Sequence, residues 1–204
     1  MILKVLPTGM FGSNSYLIGD NGEGVVIDAG VDADEIIDEA SKAGLKIKYI
    51  VLTHGHVDHI QSTGLLREKT GAQVLIHEAE GNYLTDPMLN ASYFMGMSLN
   101  SGSADRLLNH GDIIEAGGLN FEVIHTPGHT PGGICIKVNN LVFSGDTLFR
   151  ASIGRTDLPG GNHEELINSI KSRLLTFDEA IIVYPGHGSS TTIGYEKRSN
   201  PFLK

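Results

Sequence analysis

Seven side chains in this sequence are of the right type and spacing to hold metal: His54, His56, Asp58, His59, His129, Asp146 and His187. Three imidazoles and a carboxylate fall within His54-Gly55-His56-Val57-Asp58-His59, and His129, Asp146 and His187 each follow a glycine. Buried polar groups need partners, and four of them in one turn are hard to satisfy without a cation. Imidazole nitrogen and carboxylate oxygen are ligand types for zinc, iron and manganese. Five histidines and two aspartates exceed what one tetrahedral ion accepts, so two ions sharing a ligand are expected. Such ions lower the pKa of bound water from ~16 to ~7, which predicts hydrolysis without a serine or cysteine nucleophile.

Something must bring these residues together, and four β-rich runs end at them: Tyr49 to Thr53 before His54, Phe121 to Thr126 before Pro127-Gly128-His129, Leu141 to Ser144 before Gly145-Asp146, and Ile181 to Tyr184 before Pro185-Gly186-His187. Further strands are read at Tyr16 to Ile18, Val25 to Ile27, Gln73 to Ile76, Asp112 to Ala116 and Ile134 to Val138. A first helix starts at Asp32 as N-cap, with Glu35 three residues on, Ile36, Ile37, Ala40 and Ala43 on one face, and Gly44 past its end. A second runs from the His59 region through Leu65 and Leu66 to Gly71. A third starts at Asn162, with Glu165 at the capping-box position and Leu166, Ile170 and Leu174 on its apolar face. Sheets and one-faced helices in this order are buried best as two mixed sheets face to face with helices outside, an αββα sandwich. A length of 204 residues and 40% apolar content fit a single domain over residues 1–204.

Composition narrows the partners. A net charge of −9 without a basic block argues against nucleic acid. No run approaches the ~20 apolar residues of a membrane span, no signal segment opens the chain, and Cys135 has no cysteine to pair with, so a cytoplasmic protein is expected. Cys135, inside Ile134-Cys135-Ile136, reads as a small buried hydrophobe. His77, His110, His125 and His163 lie off the motif and read as structural or solvated. Arg155 follows Asp146 in a loop where its fork could hold a substrate carboxylate or pair with Asp157. Asp28 is either a partner to a ligating imidazole or a turn residue. Residues 80 to 110, with Tyr83, Tyr93, Phe94, Met95 and Met97 among Gly, Ser and Asn, either cover the core or cover a substrate.

Six segments together resemble the metallo-β-lactamase superfamily, and within it the glyoxalase II-like hydrolases. They are Ile27-Asp28-Ala29-Gly30, Thr53 to His59, Thr126-Pro127-Gly128-His129-Thr130-Pro131-Gly132, Ser144-Gly145-Asp146-Thr147-Leu148-Phe149, Gly154-Arg155-Thr156-Asp157 and Pro185-Gly186-His187-Gly188. The terminal Glu196-Lys197-Arg198-Ser199-Asn200-Pro201-Phe202 is similar as well. The resemblance implies the αββα fold, two zinc ions (iron or manganese as substitutes), a hydroxide bridging them, and a small-molecule thioester as substrate. It implies that His54, His56 and His129 hold the first ion, that Asp58, His59 and His187 hold the second, and that Asp146 bridges them. Asp58 is then expected to orient the nucleophile. The chain stops at Lys204, where glyoxalase II proper continues into a helical domain that helps bind glutathione, so the thiol carrier stays open. Asp146 stands where the best-known zinc β-lactamases place cysteine, and His56 where diiron flavoproteins carry glutamate, which argues against both activities. The Gly154 to Asp157 pattern is shared with persulfide dioxygenases that use a single iron, the alternative reading beside another ester or lactone hydrolase.

Overall fold

The computed structural model describes residues 1–6 and 9–204. Strands β1 (Ile2–Leu6), β2 (Ser15–Asp20) and β3 (Glu23–Ile27) lead into helix α1 (Ala33–Lys42) and strand β4 (Lys46–Val51). Helices α2 (Val57–Ile60) and α3 (Thr63–Thr70) precede β5 (Gln73–His77), and after two 3-10 turns come β6 (Arg106–Leu108), β7 (Ile113–Ala116), β8 (Leu119–His125), β9 (Ile134–Val138) and β10 (Leu141–Gly145). A small hairpin of β11 (Leu148–Phe149) and β12 (Ser152–Ile153) is followed by α4 (His163–Ser169), β13 (Ile182–Pro185), β14 (Thr191–Thr192) and α5 (Ile193–Ser199).

Among the described residues the main strands form two six-stranded sheets, ordered β1-β2-β3-β4-β5-β6 and β14-β13-β10-β9-β8-β7. Both are mixed: β3, β4, β5 and β6 run parallel while β1 and β2 are antiparallel, and β10 is parallel to β13 in an otherwise antiparallel second sheet. The period of two in each strand assigns side chains to layers. In β3, Val25 and Ile27 face the second sheet and meet Phe121, Val123, Ile136 and Phe143, whereas Val26 faces α1 and packs with Ile36, Ala40 and Leu66. A third cluster sets Val142 and Val183 against Leu166, Ile170 and Leu174 of the α4 region. Three apolar layers between four layers of structure make the expected αββα sandwich.

Local signals explain most element ends. Asp32 caps α1 by accepting from the Asp34 backbone N–H at 2.8 Å, and Asn162 caps α4 by accepting from Glu165 at 3.1 Å. Two helices differ from expectation. The second is broken at Gln61-Ser62, because the His59 carbonyl that would continue it accepts instead from Ala29 N–H (2.7 Å), while Ser62 N–H bonds Ala29 O (2.8 Å). The third widens into a π-helical turn over Ile170–Leu174, which keeps Ile170 and Leu174 buried. No helix is long and apolar enough to cross a membrane among the described residues.

The topology positions the chemistry. Since β8 and β10 are both antiparallel to β9, and β10 is parallel to β13, the C-terminal ends of β8, β10 and β13 share one edge of the second sheet. The end of β4 joins them from the first sheet, where Thr53 O accepts from Ile134 N–H at 2.8 Å. All four predicted ligand-bearing loops leave from this edge.

Candidate metal centre

The loop after β4 delivers His54 and His56, and the short helix α2 delivers Asp58 and His59. The loops after β8, β10 and β13 deliver His129, Asp146 and His187. Glycines before the ligands let the chain come this close. Gly128 has φ +132°, and a side chain there would overlap the Leu166 backbone; a side chain at Gly186 would overlap the Asp146 carboxylate.

The seven side chains converge in three overlapping groups: His54, His56 and His129; His54, His59 and Asp146; Asp58, His59 and His187. In each group the ligand atoms lie within 4.8 Å of one another. His56 Nδ1 is 3.0 Å from His129 Nε2, and His59 Nε2 is 3.3 Å from His187 Nε2. Nitrogens bound tetrahedrally at ~2.0–2.1 Å stand about 3.3 Å apart, so these spacings suit edges of a coordination shell. Asp146 lies between the sets: its carboxylate oxygens are 3.7 Å from His129 Nε2, 3.4 Å from His59 Nε2 and 3.6 Å from His187 Nε2.

Donor accounting fixes where the ring lone pairs point. His129 Nδ1 donates to the Arg155 carbonyl at 2.7 Å, which leaves its Nε2 facing the site. Asp28 Oδ2 accepts from His59 Nδ1 (2.8 Å) and from Thr53 Oγ1 (2.7 Å), and its other oxygen accepts from Thr53 N–H. With its hydroxyl proton given to Asp28, Thr53 Oγ1 accepts from His54 Nδ1 at 3.1 Å. His54 Nε2 then points inward, buried and without a hydrogen-bond partner among the described residues, as is Asp146 Oδ1. An inward lone pair and an inward carboxylate oxygen, both buried, fit a cation held between them.

Charges divide the site. Burial, reinforced by the neighbouring imidazoles, drives His54 well below the ordinary histidine range and His56 down to about 3. At His59 burial works the same way, but Asp146 and Asp28 outweigh it and hold the ring well above that range. His187 is also raised, with Asp58 and Asp146 overcoming its burial. Burial of Asp58 and Asp146 is in turn outweighed by these histidines, and both carboxylates stay below their usual range.

A family model described as the metallo-beta-lactamase superfamily matches residues 8–187. The chain belongs to that superfamily. Within it, the chain is 38% identical to "Hydroxyacylglutathione hydrolase GloC" of Haemophilus influenzae, over 100% of this chain and 98% of the relative. The solved structure titled as the BLEG-1 B3 metallo-beta-lactamase superposes with a TM-score of 0.94 at 39% identity, covering 100% of both chains. A structure of TTHA1623 in a di-iron-bound form gives 0.85 at 35% identity, covering 98% of this chain and 100% of the other. The superfamily binds divalent metals, and this member is a metallo-hydrolase with a histidine-rich site able to hold them.

A pocket of about 230 Å³ opens over the superfamily site, lined by His56, Asp58, His129, Asp146 and His187 and walled by Phe11, Ala91, Met95, Leu158 and Arg155. Ala91 and Met95 bring part of the 80–110 segment to the pocket, while Tyr83 and Leu84 of the same segment are buried. Arg155 reaches the wall, with its guanidinium paired twice to Asp157 (2.7 and 2.8 Å). His77 and His125 stack on each other at 4.0 Å away from the ligand groups, and Cys135 is buried, with its thiol pushed up to about 11. Sequence reasoning named Asp28 as one of two options and did not reach Thr53, the Arg155 carbonyl or Glu80. Glu80 is a fully buried carboxylate raised to about 7 by that burial, against the pull of the Thr130 hydroxyl and two backbone N–H groups.

Proposed function

We propose that this metallo-hydrolase is a thioester hydrolase of the glyoxalase II type, working with two divalent ions, zinc by preference and iron or manganese as substitutes. The observation that carries the reading is Asp146 lying within 3.7 Å of imidazoles from both triads. His54, His56 and His129 would hold one ion, Asp58, His59 and His187 the other, and Asp146 both. When bound, the ions would supply Lewis acidity and a water whose pKa falls to ~7.

The protein's own contribution is position and charge. Asp58, 14% exposed at the pocket wall and 3.2 Å from His187, orients the attacking water. Water oxygen bonds the acyl carbon, the carbon–sulfur bond breaks, and the thiolate leaves. A leaving group with a conjugate pKa of ~8.5 needs little acid assistance. Glutathione is the favoured carrier, since the Haemophilus relative bears its name over a length that this chain covers to 98%. Arg155 would meet a substrate carboxylate by exchanging out of its pair with Asp157.

The full-length match to the BLEG-1 B3 enzyme supports a second reading, β-lactam hydrolysis, by the same attack on a strained amide. Metal analysis of the purified protein with three parallel assays separates the readings: thiol release from S-lactoylglutathione, opening of a β-lactam, and oxygen uptake with glutathione persulfide. Two ions per chain with thiol release is the expected result. One iron with oxygen uptake overturns it in favour of a persulfide dioxygenase. Asp58→Ala should lose thiol release while a His163→Ala control keeps it, and full activity in Asp58→Ala removes Asp58 from the mechanism.

A further inference from the structure

We propose that Glu80 is a positioning residue: its buried carboxylate ties the His54–His56 loop to the His129 loop and so sets the grip of the first triad on its ion. The proposal rests on the metal-centre reading above. Glu80 sits on the 3-10 turn Glu78–Leu84, fully buried, and its two oxygens reach two different loops. Oε2 accepts from Gly55 N–H at 2.5 Å, between His54 and His56. Oε1 accepts from Gly132 N–H at 3.0 Å, three residues beyond His129. The ligand atoms that these loops carry, His56 Nδ1 and His129 Nε2, meet at 3.0 Å.

Packing agrees with the hydrogen bonds. A side chain at Gly55 would overlap the Tyr83 side chain, and one at Gly132 would come within 2.7 Å of Glu80 Cγ, so both loops lie flat on the same helical turn. A buried carboxylate is costly, and apolar replacements of buried charges are often neutral or stabilising, so stability alone gives little reason to place one there. A carboxylate is, however, a rigid acceptor that can fix two backbone donors at a set separation. The second strand of the argument is a contrast. Glu196 is equally buried and also satisfied, by Ala151 N–H, Thr191 Oγ1 and Asn200 Nδ2, yet none of these partners adjoins a ligand.

Metal-free full-length protein titrated with cobalt(II) alone tests this, reading the dissociation constant of the first ion bound, the visible absorption band and Tm. Glu80→Gln keeps the shape but turns an NH2 toward one backbone N–H, releasing one loop. The first ion should bind 10–100-fold more weakly, the size seen when groups that orient ligands are removed, with an altered cobalt band. Glu80→Asp, one methylene short of spanning both loops, should show the same sign and serves if the Gln variant fails to fold. Glu196→Gln should lower Tm and leave affinity and band as in the parent. Unchanged cobalt affinity and band in folded Glu80 variants overturn the proposal, as does an equal change in Glu196→Gln. A parent chain that takes up no cobalt overturns the metal-centre reading itself, a failure recognisable before any variant is compared.

Discussion

The two triads sit a few ångströms apart and solve the same problem oppositely. His54, His56 and His129 are all buried and include no carboxylate, and the outer nitrogens of His54 and His129 are held by Thr53 and the Arg155 carbonyl. Asp58, His59 and His187 include an acid, leave the His187 side chain 28% exposed, and keep both rings above the ordinary histidine range. In the first triad, then, the His54 and His129 lone pairs are already aimed inward. In the second, the neighbouring acids raise both rings and so favour a proton where a cation would go. One site is preformed, and the other must exchange protons for its ion.

Paired deletions test that contrast most severely. His129→Ala should lose the buried ion and several kcal/mol of transition-state stabilisation, about a thousandfold in kcat. His187→Ala should leave one ion per chain and cost less, and equal losses of metal and rate in both would erase the distinction. Titration with zinc across about pH 6 to 8 addresses the electrostatics. His59 and His187 are raised and must shed protons, so affinity for the second ion should climb with pH, with proton release visible in buffers of different ionisation enthalpy. His54 and His56 are lowered and already neutral, so neither adds pH dependence there, and affinity for the first ion should climb less steeply than for the second. The smallest effect belongs to Arg155→Ala, which should raise KM for a carboxylate-bearing thioester and leave kcat, Tm and metal content alone; a change in metal content would mean that the side chain, and not only its carbonyl, supports His129.

Much of the centre was legible because its information is local. The His54 to His59 run and the glycines before His129, Asp146 and His187 declare themselves within a few residues, and the strands ahead of them end within two residues of the expected positions. What stayed hidden depends on which loops meet. Glu80 reaches Gly132 across 52 residues of sequence, and nothing near Glu80 marks it as more than a polar turn residue. The break in the helix after His59 has the same origin, since the competing partner is Ala29, on the loop after β3. Strand β1 and helix α5 went unread for a simpler reason: one is a half-exposed edge and the other only seven residues long.

The ligand loops come from both sheets, and this gives the centre a mechanical role beside its chemical one. The only cysteine, Cys135, cannot form an internal disulfide, so no disulfide cross-links the two sheets. An ion gripped by His59 from the first sheet and His187 from the second would close a loop of about 128 residues. Closing a loop of that length restricts the unfolded chain in the way a long disulfide does. The metal would then be the rivet of the sandwich, and a chelator would loosen the joint between the sheets as well as stop the chemistry.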